Sequence, residues 1–374
     1  MADRSHSMRS IVLLLVAVPL VAQDLSQDQI ASVARAVEAQ RKAQQIPAVS
    51  VAVARGGRVV HAAAFGEADL ENGVAATAAS LFRTASIAKP LTATAVMQLA
   101  EQGKLDLDAP IRKYVPEWPE KHAPITCRQL LAHLAGVRHY MYPGEARGTR
   151  SFDDLVSTLK LFSKEPLVAK PGTKHSYTTY GFTLLGVAVE RASGRPFVPY
   201  MREHVFGPAG MTHTGQDDHF AILAGRTRGY QKLSGREWRS LPEWKREQSK
   251  PGQVRNAHLH DTSMKIPGGG FLSTPTDLCR FALAMLSDKL MKRETRDAMW
   301  TQQTAADGQR IVYGLGWRVG GRMGRLVISH SGGQAGTACF LTITPAQGLA
   351  IAVMTNLRGA DIRAIAGDVG AAIR

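Results

Sequence analysis

The sequence predicts a mixed α/β (α+β) fold, in which an antiparallel sheet is flanked by helices and a helical lobe is inserted between its two halves. Strand-like runs lie near both ends of the chain, whereas residues 105–219 are dominated by helical patterns. The chain has 374 residues, 44% of them hydrophobic, which is enough for a large core and two lobes. We therefore predict an α/β lobe built from residues 24–104 and 258–374, and a helical lobe with a connecting excursion from residues 105–257.

Residues 1–23 have the pattern of an export signal. Arg4 and Arg9 are basic, an unbroken apolar run extends from Ile11 to Val18, and Leu20-Val21-Ala22 offers a small residue before a cleavage site. The apolar run is too short to span a bilayer as a stable anchor. We therefore predict a signal peptide and a periplasmic or secreted bacterial protein with no stable membrane span.

The N-terminal part of the mature chain predicts a helix, a hairpin and a second helix. Apolar residues recur at helical spacing over residues 25–45. Two strands follow, Val49 to Ala54 and Val59 to Phe65, and the sequence Arg55-Gly56-Gly57-Arg58 between them is typical of a tight turn. The next apolar-periodic run extends from Ser86 to about Gln102, where a glycine marks the end of a helix.

The remaining elements predict the helical lobe and the second half of the sheet. Three helices are expected in the lobe: Ile125 to Leu134, Phe152 to Phe162 and Gly181 to Arg191. Residues 226–257 are polar and basic, and we expect a long excursion between the lobes there. The C-terminal part predicts four strands and a closing helix, namely Tyr313 to Val319, Arg325 to His330, Thr337 to Thr344, Leu349 to Thr355 and Asp361 to Ile373.

Charge and cysteine usage narrow the classes of function. The formal net charge of +15 favours anionic partners such as carboxylates, acidic polymers or anionic lipid surfaces. The positive charges are scattered, and the densest patch, residues 236–246, is interrupted by glutamates and carries no stacking or helix-turn-helix motif. We therefore predict no nucleic-acid partner. Cys127, Cys279 and Cys339 are too far apart in sequence to predict a disulfide framework, and pairing of any two stays open.

The sequence Ser86-Ile87-Ala88-Lys89 opens the second predicted helix and has S-x-x-K spacing. On a helix the two polar side chains share one face, and Ser86 lies in the first turn, where free N–H groups favour developing negative charge. A serine hydroxyl needs a base to remove its proton. Lysine can be that base when burial and nearby positive charge lower its pKa from ~10.4 to ~7–8. The alternative is an N-cap serine followed by a surface lysine.

Two further stretches carry side chains that such a nucleophile needs. His175-Ser176-Tyr177-Thr178-Thr179 precedes a predicted helix. The phenol of Tyr177 could relay a proton between the serine, the lysine and a leaving group if nearby positive charge depresses its pKa. Ser329-His330-Ser331-Gly332-Gly333 ends a predicted strand. A basic side chain there could hold a substrate carboxylate or polarise the network of the tyrosine and the serine. The bare backbone of the two glycines would let a substrate carbonyl approach an N–H donor. Taken singly, each stretch has an alternative interpretation. The first could be a turn whose tyrosine packs its ring, and the second a Gly-rich turn with a solvated histidine.

Together and in this order, the three stretches resemble the penicillin-recognising serine hydrolases, which include class C β-lactamases, penicillin-binding DD-peptidases and related esterases. The likeness extends from about Pro47 to Asn356. It is nearest to the branch of mitochondrial serine β-lactamase-like proteins and their bacterial relatives, in which the second motif also reads Tyr-Ser/Thr-Thr and the third begins with His. The other segments that carry the resemblance are Leu130 to Val137, Lys170-Pro171-Gly172, Tyr180 to Gly186, Gly268 to Thr274 and Tyr313 to Trp317.

The resemblance implies a β-lactamase/transpeptidase-like fold and a role for each matching residue. Ser86 would be the nucleophile, Lys89 the general base for acylation and Tyr177 the general acid/base. His330 stands where β-lactamases of this class carry a lysine. The backbone N–H groups of Ser86 and Gly333 would form the oxyanion hole. The implied reaction is acyl transfer through a serine ester followed by hydrolysis, with no metal and no organic cofactor.

Two departures from the class C pattern bear on the substrate. Thr179 stands where those enzymes have an asparagine that binds the acyl amide, and His330 replaces a permanent cation with a side chain that titrates near pH 6–7. Thr179, Ser331 and Gly332 are the candidate substrate-binding residues. We therefore expect an exported serine hydrolase for peptide or ester substrates, with weak β-lactam hydrolysis or binding. We also expect kcat/KM toward a carboxylate-bearing substrate to follow the pKa of a histidine.

Several alternatives stay open. The chain could be a β-lactamase or DD-carboxypeptidase proper, or a catalytically inactive binding or scaffold protein on the same fold. G-x-S-x-G is absent, which argues against the α/β-hydrolase nucleophile elbow. The sequence His258-Leu259-His260-Asp261 lacks a further histidine at metal-ligand spacing. A small-molecule or peptide substrate is the expected partner, and the sequence leaves the oligomeric state open.

Overall fold

The computed structural model describes residues 24–142, 144–145, 148–322 and 324–374. The predicted signal peptide, residues 1–23, lies outside this described part. Within it, no helix combines the length and the hydrophobicity that crossing a membrane requires. The mixed α/β class predicted from the sequence is confirmed, because a large antiparallel sheet is flanked by helices.

The central sheet is assembled from both ends of the chain. The strands found among the described residues are β1 (Ala48–Arg55), β2 (Arg58–Asp69), β3 (Val74–Ala75), β4 (Phe82–Arg83), β5 (Gly215–Gln216), β6 (Tyr230–Lys232), β7 (Val254–Asn256), β8 (Phe271–Ser273), β9 (Arg318–Arg322), β10 (Arg325–Gln334), β11 (Thr337–Thr344) and β12 (Leu349–Thr355). Seven of them form the sheet, in the order β3-β2-β1-β12-β11-β10-β9. Its two halves join where β1 pairs antiparallel with β12. Two smaller sheets, β4-β8-β5 and β6-β7, are formed by the part of the chain between β3 and β9.

The helices of the described chain cover the sheet and fill the middle of the sequence. They are α1 (Gln27–Ala43), α2 (Ala88–Glu101), α3 (Cys127–Leu131), α4 (Leu155–Thr158), α5 (Tyr180–Ser193), α6 (Phe197–Met201), α7 (Gly207–Ala209), α8 (Gly235–Arg239), α9 (Glu243–Glu247), α10 (Ile266–Gly269), α11 (Pro275–Leu286), α12 (Arg293–Met299) and α13 (Ile362–Ala372). Shorter 3₁₀ turns include Ala85–Ile87, which leads into α2, and Ser263–Lys265, which leads into α10. A π-helical turn, Arg202–Phe206, follows α6.

Strand β1 shows how the sequence places the two helical layers. Val49, Val51 and Val53 alternate along it and belong to the core that includes residues of α1 and α13. Ala52 and Ala54 face the other side and belong to the larger core, with α11 packed against the strand. Because side chains alternate across a strand, the period-2 pattern puts branched residues under one layer and small residues under the other.

Helix α2 is buried on every side. Every residue from Ala88 to Leu99 is buried, and the helix contacts α5, α10 and the neighbouring turns. A helix that is apolar all round belongs in the interior. Its many alanines and threonines let the surrounding elements approach closely, so the start of α2 is fixed in the middle of the molecule.

Several segments differ from the sequence prediction. The helices predicted at residues 125–134 and 152–162 are shorter, as α3 and as α4 followed by a 3₁₀ turn, Leu159–Leu161. The strand predicted at residues 313–319 begins later, as β9, because Gly316 has φ +81° and turns the chain, with its N–H bonded to Leu131 O. The predicted excursion at residues 226–257 contains the β6-β7 pair and the short helices α8 and α9.

Candidate active site

Ser86 lies in the 3₁₀ turn that leads into α2. Ala85, just before it, has φ +44°, a left-handed conformation that costs an L-residue roughly 1–2 kcal/mol. The surroundings hold the turn from two sides. The Thr84 N–H donates to Phe271 O at 2.9 Å, and Thr84 O accepts from Cys339 Sγ at 2.8 Å. The side chain of Ser86 is partly exposed and lines a pocket.

Gly332 allows strand β10 to approach this turn. A Cβ at position 332 would lie 2.4 Å from Thr84 O and 2.5 Å from Cys339 Sγ. Its α-carbon thus faces the turn and does not line the pocket, and a role of Gly332 in substrate binding stays a prediction. Ser331 does not line the pocket either, whereas Gly333 does and has open space where a Cβ would stand.

Lys89 lies in the first turn of α2 with none of its surface exposed. Its Nζ is 3.2 Å from Ser86 Oγ, 3.1 Å from Thr179 Oγ1 and 2.8 Å from Gly268 O. Within the described chain it bonds to no carboxylate. Burial lowers the pKa of Lys89 well below its ordinary value, and the positive charge of Lys265 lowers it further. Burial and a neighbouring cation are the two conditions that a lysine base requires.

A neutral amine fits these three partners. It has two N–H donors and one lone pair, and Gly268 O can only accept. Thr179 Oγ1 can accept the second N–H, which leaves the lone pair for the hydroxyl of Ser86. The carbonyl reaches the amine because residue 268 has no side chain: a Cβ there would lie 2.6 Å from Thr179 Cγ2. The arrangement can therefore take a proton from the serine.

The phenol of Tyr177 completes this group. Lys89 Nζ lies 4.9 Å from the centroid of its ring. Burial raises the pKa of Tyr177 above its ordinary value, and the hydrogen-bonding contact with the Ser86 hydroxyl opposes this only in part. The phenol therefore stays protonated at neutral pH, so the depressed pKa that a relay role was expected to need is not met. It can act as a proton donor.

Two histidines hold the segment that carries Tyr177. Nδ1 of His133 accepts from the Thr178 N–H, and Nδ1 of His139 accepts from the Thr179 N–H, each at 3.2 Å. Burial lowers the pKa of His139 to about 4 and that of His133 well below its ordinary value, with a smaller contribution from the charge of a nearby lysine. Both rings are therefore neutral and able to accept, which fixes the backbone that directly follows Tyr177.

His330 does not line the pocket and is only 4% exposed. Its Nδ1 is 2.8 Å from Ser331 O, and its Nε2 is 2.8 Å from the Tyr313 hydroxyl. A carbonyl can only accept, so Nδ1 carries the proton and Nε2 accepts from the phenol. Burial lowers the pKa of His330 to about 3. The expectation of a cation that titrates near pH 6–7 here is therefore wrong: the ring is neutral, 6.5 Å behind that of Tyr177.

These groups meet in a pocket of about 280 Å³. Four of the predicted site residues line it: Ser86, Tyr177, Thr179 and Gly333. Lys89 lies beneath them. None of the described residues that line this pocket is an aspartate or a glutamate. The other lining residues are His139, Tyr140, Lys265, Gly268, Gly269, Gln334, Ala335 and Arg358.

Two cations in this lining are absent from the sequence prediction. Lys265, at the end of a 3₁₀ turn, is 3% exposed, and its Nζ lies 5.7 Å from the centroid of the Tyr140 ring. Burial and the charge of Arg83 lower the pKa of Lys265 to about 7, against an opposing effect of Asp217. Arg358 follows β12 and is exposed. For Lys265 the sequence offers one signal that could have identified it, namely its place in an otherwise apolar stretch just before a Gly-rich segment.

Comparisons with known proteins bear on both the fold and the family. A family profile described as Beta-lactamase matches residues 33–372. The human serine beta-lactamase-like protein LACTB, mitochondrial, is 29% identical over 393 residues, covering 80% of this chain and 69% of that protein. Esterase EstB of Burkholderia gladioli is 32% identical over 205 residues, covering 50% of this chain and 52% of that protein. The D-amino acid amidase from Ochrobactrum anthropi SV3, solved with D-phenylalanine, has a TM-score of 0.79 at 21% identity, covering 93% of this chain and 99% of that one.

The likeness to solved structures of the amidase and of penicillin-binding proteins shows that the chain has the β-lactamase/transpeptidase-like fold. The profile match spans most of the chain, from α1 to α13. The fold and the family expected from the three ordered motifs are thereby confirmed. The chain belongs to the β-lactamase family of serine hydrolases.

Proposed function

We propose that this chain hydrolyses peptides or esters through an acyl-enzyme formed on Ser86. One observation carries the proposal: Lys89 is fully buried, bonds to no carboxylate of the described chain, and has its Nζ 3.2 Å from Ser86 Oγ. A lysine in ordinary surroundings is an acid at neutral pH. Burial disfavours the ammonium and leaves an amine that can accept the serine proton.

In the acylation step, Lys89 takes the proton of Ser86 while Oγ attacks the carbonyl carbon of the substrate. The negative charge that develops on the carbonyl oxygen is bound by the N–H groups of Ser86 and Gly333. The first lies in the opening helical turn, where backbone N–H groups have no intrahelical acceptor. The second lies in the part of β10 beyond Ser329, where β9 no longer pairs with it. Loss of one such donor costs roughly 3–4 kcal/mol of transition-state stabilisation.

The leaving group departs with the help of Tyr177. Its phenol donates a proton to the leaving nitrogen or oxygen as the bond to the acyl carbon breaks, and the ammonium of Lys89 returns a proton to the phenolate. The acyl group stays on Ser86 as an ester. A water molecule then attacks this ester, losing its proton to the same pair, and Ser86 recovers its hydroxyl as the acid product leaves.

The substrate class follows from two side chains. The hydroxyl of Thr179 is bonded to Lys89 and is not a free amide like the asparagine of class C β-lactamases. His330 is neutral and buried, so the third motif supplies no cation. Both features disfavour an efficient β-lactamase. Peptides or esters are the proposed substrates, as the names of the esterase and amidase relatives suggest, and β-lactams would be slow substrates or acylating inhibitors.

Covalent labelling tests the nucleophile. Wild-type protein should react with a fluorescent fluorophosphonate, and the Ser86→Ala variant, with an unchanged circular dichroism spectrum, should not. Folded wild type that stays unlabelled by both fluorophosphonate and fluorescent penicillin would favour the inactive scaffold alternative. Labelling of Ser86→Ala would move the nucleophile to another residue.

A substrate panel separates the enzymatic alternatives. We expect p-nitrophenyl esters or short peptides to have a higher kcat/KM than nitrocefin. The opposite order would favour a β-lactamase proper, and selective release of a C-terminal residue from peptides would favour a carboxypeptidase. The role of residues 1–23 as an export signal is also proposed, on their basic start and apolar run. Cell fractionation with N-terminal sequencing tests it, and an uncleaved cytoplasmic protein would contradict it.

A further inference from the structure

A second buried lysine, Lys265, lines the active-site pocket. The residue is 3% exposed and lines the same pocket as Ser86 and Tyr177. Among the described residues, no carboxylate or carbonyl lies within bonding distance of its Nζ, and its neighbour is the ring of Tyr140, 5.7 Å from the centroid. A buried ammonium is normally paired or hydrogen-bonded. Lys265 therefore has donors left for a group that enters the pocket.

The acidic residues around the pocket are already engaged. Asp217 is 2.7 Å from Arg83, and Glu145 is 2.8 Å from Arg138. Arg358, by contrast, lines the pocket and forms no ion pair with the described part of the chain. The pocket therefore presents two basic side chains that bond to no described acidic residue, and its lining contains no acidic side chain, so its potential favours an anion.

Lys265 and Arg358 lie outside the third motif, in which a cation at position 330 was expected. His330 is neutral and turned away toward Tyr313, so it cannot bind a substrate anion. Lys265 belongs to another segment, at the end of the 3₁₀ turn before α10, and precedes by three residues Gly268, whose carbonyl Lys89 contacts. A buried lysine with no acidic partner lowers stability, and such groups are typical of functional sites.

We propose that Lys265, together with Arg358, binds a carboxylate of the substrate next to Ser86. The inference rests on the proposed function and narrows its substrate class to esters or peptides that carry a free carboxylate. Arg358, at the exposed side of the pocket, meets the anion first. Lys265, in the interior, forms a charge-assisted hydrogen bond with it.

Matched substrate pairs measure this preference. On the acyl side the pair is p-nitrophenyl hydrogen glutarate and p-nitrophenyl valerate; on the leaving-group side it is 4-carboxyphenyl valerate and 4-carbamoylphenyl valerate. For at least one pair, wild type should prefer the carboxylate-bearing member. Lys265→Met should lower that ratio of kcat/KM values by about 10- to 100-fold, and Lys265→Arg should retain most of it. Lys289 is exposed and is not part of the pocket lining, so Lys289→Met removes the same net charge and should leave the ratio unchanged.

The ratio cancels effects on the free enzyme, because any effect of Lys265 on the basicity of Lys89 before substrate binds applies to both members of a pair. Unchanged ratios in Lys265→Met, or an equal loss for both members, would overturn the proposal. A drop in the ratio for Lys289→Met as large as for Lys265→Met would also overturn it, since net charge would then suffice.

A binding experiment keeps this inference separate from the proposed function. Calorimetric titration of Ser86→Ala should detect monomethyl glutarate but not dimethyl glutarate, and adding Lys265→Met should weaken the former at least tenfold. If wild type neither labels nor turns over while this difference is found, the proposed function fails and the carboxylate site stands. If wild type turns over esters but the two glutarates bind alike, the carboxylate site fails and the hydrolase stands.

Discussion

Replacing Lys265 with methionine should make the protein more stable at neutral pH although it weakens substrate binding. An unfolded lysine has a pKa of 10.5, and burial with the charge of Arg83 lowers the pKa of Lys265 to about 7 in the folded protein. At pH 7 Lys265 is therefore fully protonated in the unfolded chain and about half protonated in the folded chain. With 1.36 kcal/mol for each pKa unit, this difference lowers the free energy of unfolding by about 4 kcal/mol at pH 7.

The pH dependence identifies the charge as the cause. Between pH 7 and 10.5 the unfolded state binds more protons than the folded state, so this contribution makes wild type more stable as the pH rises through that window. The loss due to Lys265 shrinks to about 2 kcal/mol at pH 9. Methionine keeps an apolar stem of similar length without the charge. The stability advantage of Lys265→Met should therefore fall from about 4 kcal/mol at pH 7 to about 2 kcal/mol at pH 9.

Urea unfolding followed by tryptophan fluorescence at both pH values measures this difference. The matched surface variant Lys289→Met should stay within about 0.5 kcal/mol of wild type at either pH. A Lys265→Met variant that is less stable than wild type at pH 7, or whose advantage does not change with pH, would refute the reasoning. Either result would mean that the ammonium is hydrated or ion-paired in the folded protein.

Three further changes test the geometry of the site. Lys89→Met should lower kcat/KM toward p-nitrophenyl esters by about 10²- to 10⁴-fold, measured by initial rates, because the base is lost; activity near wild type would exclude Lys89 as the base. His330→Asn should leave the shape of the kcat/KM profile between pH 5 and 8 unchanged, since His330 is neutral there. A limb with the pKa of a histidine in the kcat/KM profile of wild type, absent from that of the variant, would contradict this. The unfolding free energy of His330→Asn should fall less than that of wild type as the pH drops from 6.5 toward 3, because in wild type the unfolded state alone gains a proton on this histidine. Gly268→Ala should cost about 1–3 kcal/mol of stability and reduce kcat, because its Cβ would lie 2.6 Å from Thr179 Cγ2, whereas Gly367→Ala in α13, with nothing within 4 Å, should be neutral or stabilising in the same denaturation assay.

Local patterns in the sequence predicted the long elements and not the short ones. The Val/Ala alternation of β1 and the helical spacing of α1 and α5 are properties of contiguous residues, so they could be read directly. Strands β4, β5 and β8 have two or three residues each and exist only because distant segments pair. No local signal predicts such a pairing, yet it holds the turn that carries Ser86.

The residues of the site divide in a similar way. Ser86, Lys89 and Tyr177 could be named because their chemistry is tied to motif spacing and to an order along the chain. His330 occupies a motif position too, but its protonation depends on burial and on the hydroxyl of Tyr313, which are tertiary properties. The sequence therefore predicted a residue at the right place in the strand and the wrong charge for it.

Lys265 also shows that tertiary properties cannot be predicted from local sequence. The chemistry of Lys89 requires a nearby cation, so the sequence argument demanded one, but only the fold shows which of the 46 lysines and arginines is close enough. The two lysines are then electrostatically coupled. A carboxylate bound at Lys265 would cancel part of the charge that lowers the pKa of Lys89, so Lys89 becomes a stronger base once substrate is in place. For a carboxylate-bearing ester, the acid limb of kcat should therefore lie at a higher pH than that of kcat/KM, and for its neutral counterpart the two limbs should coincide.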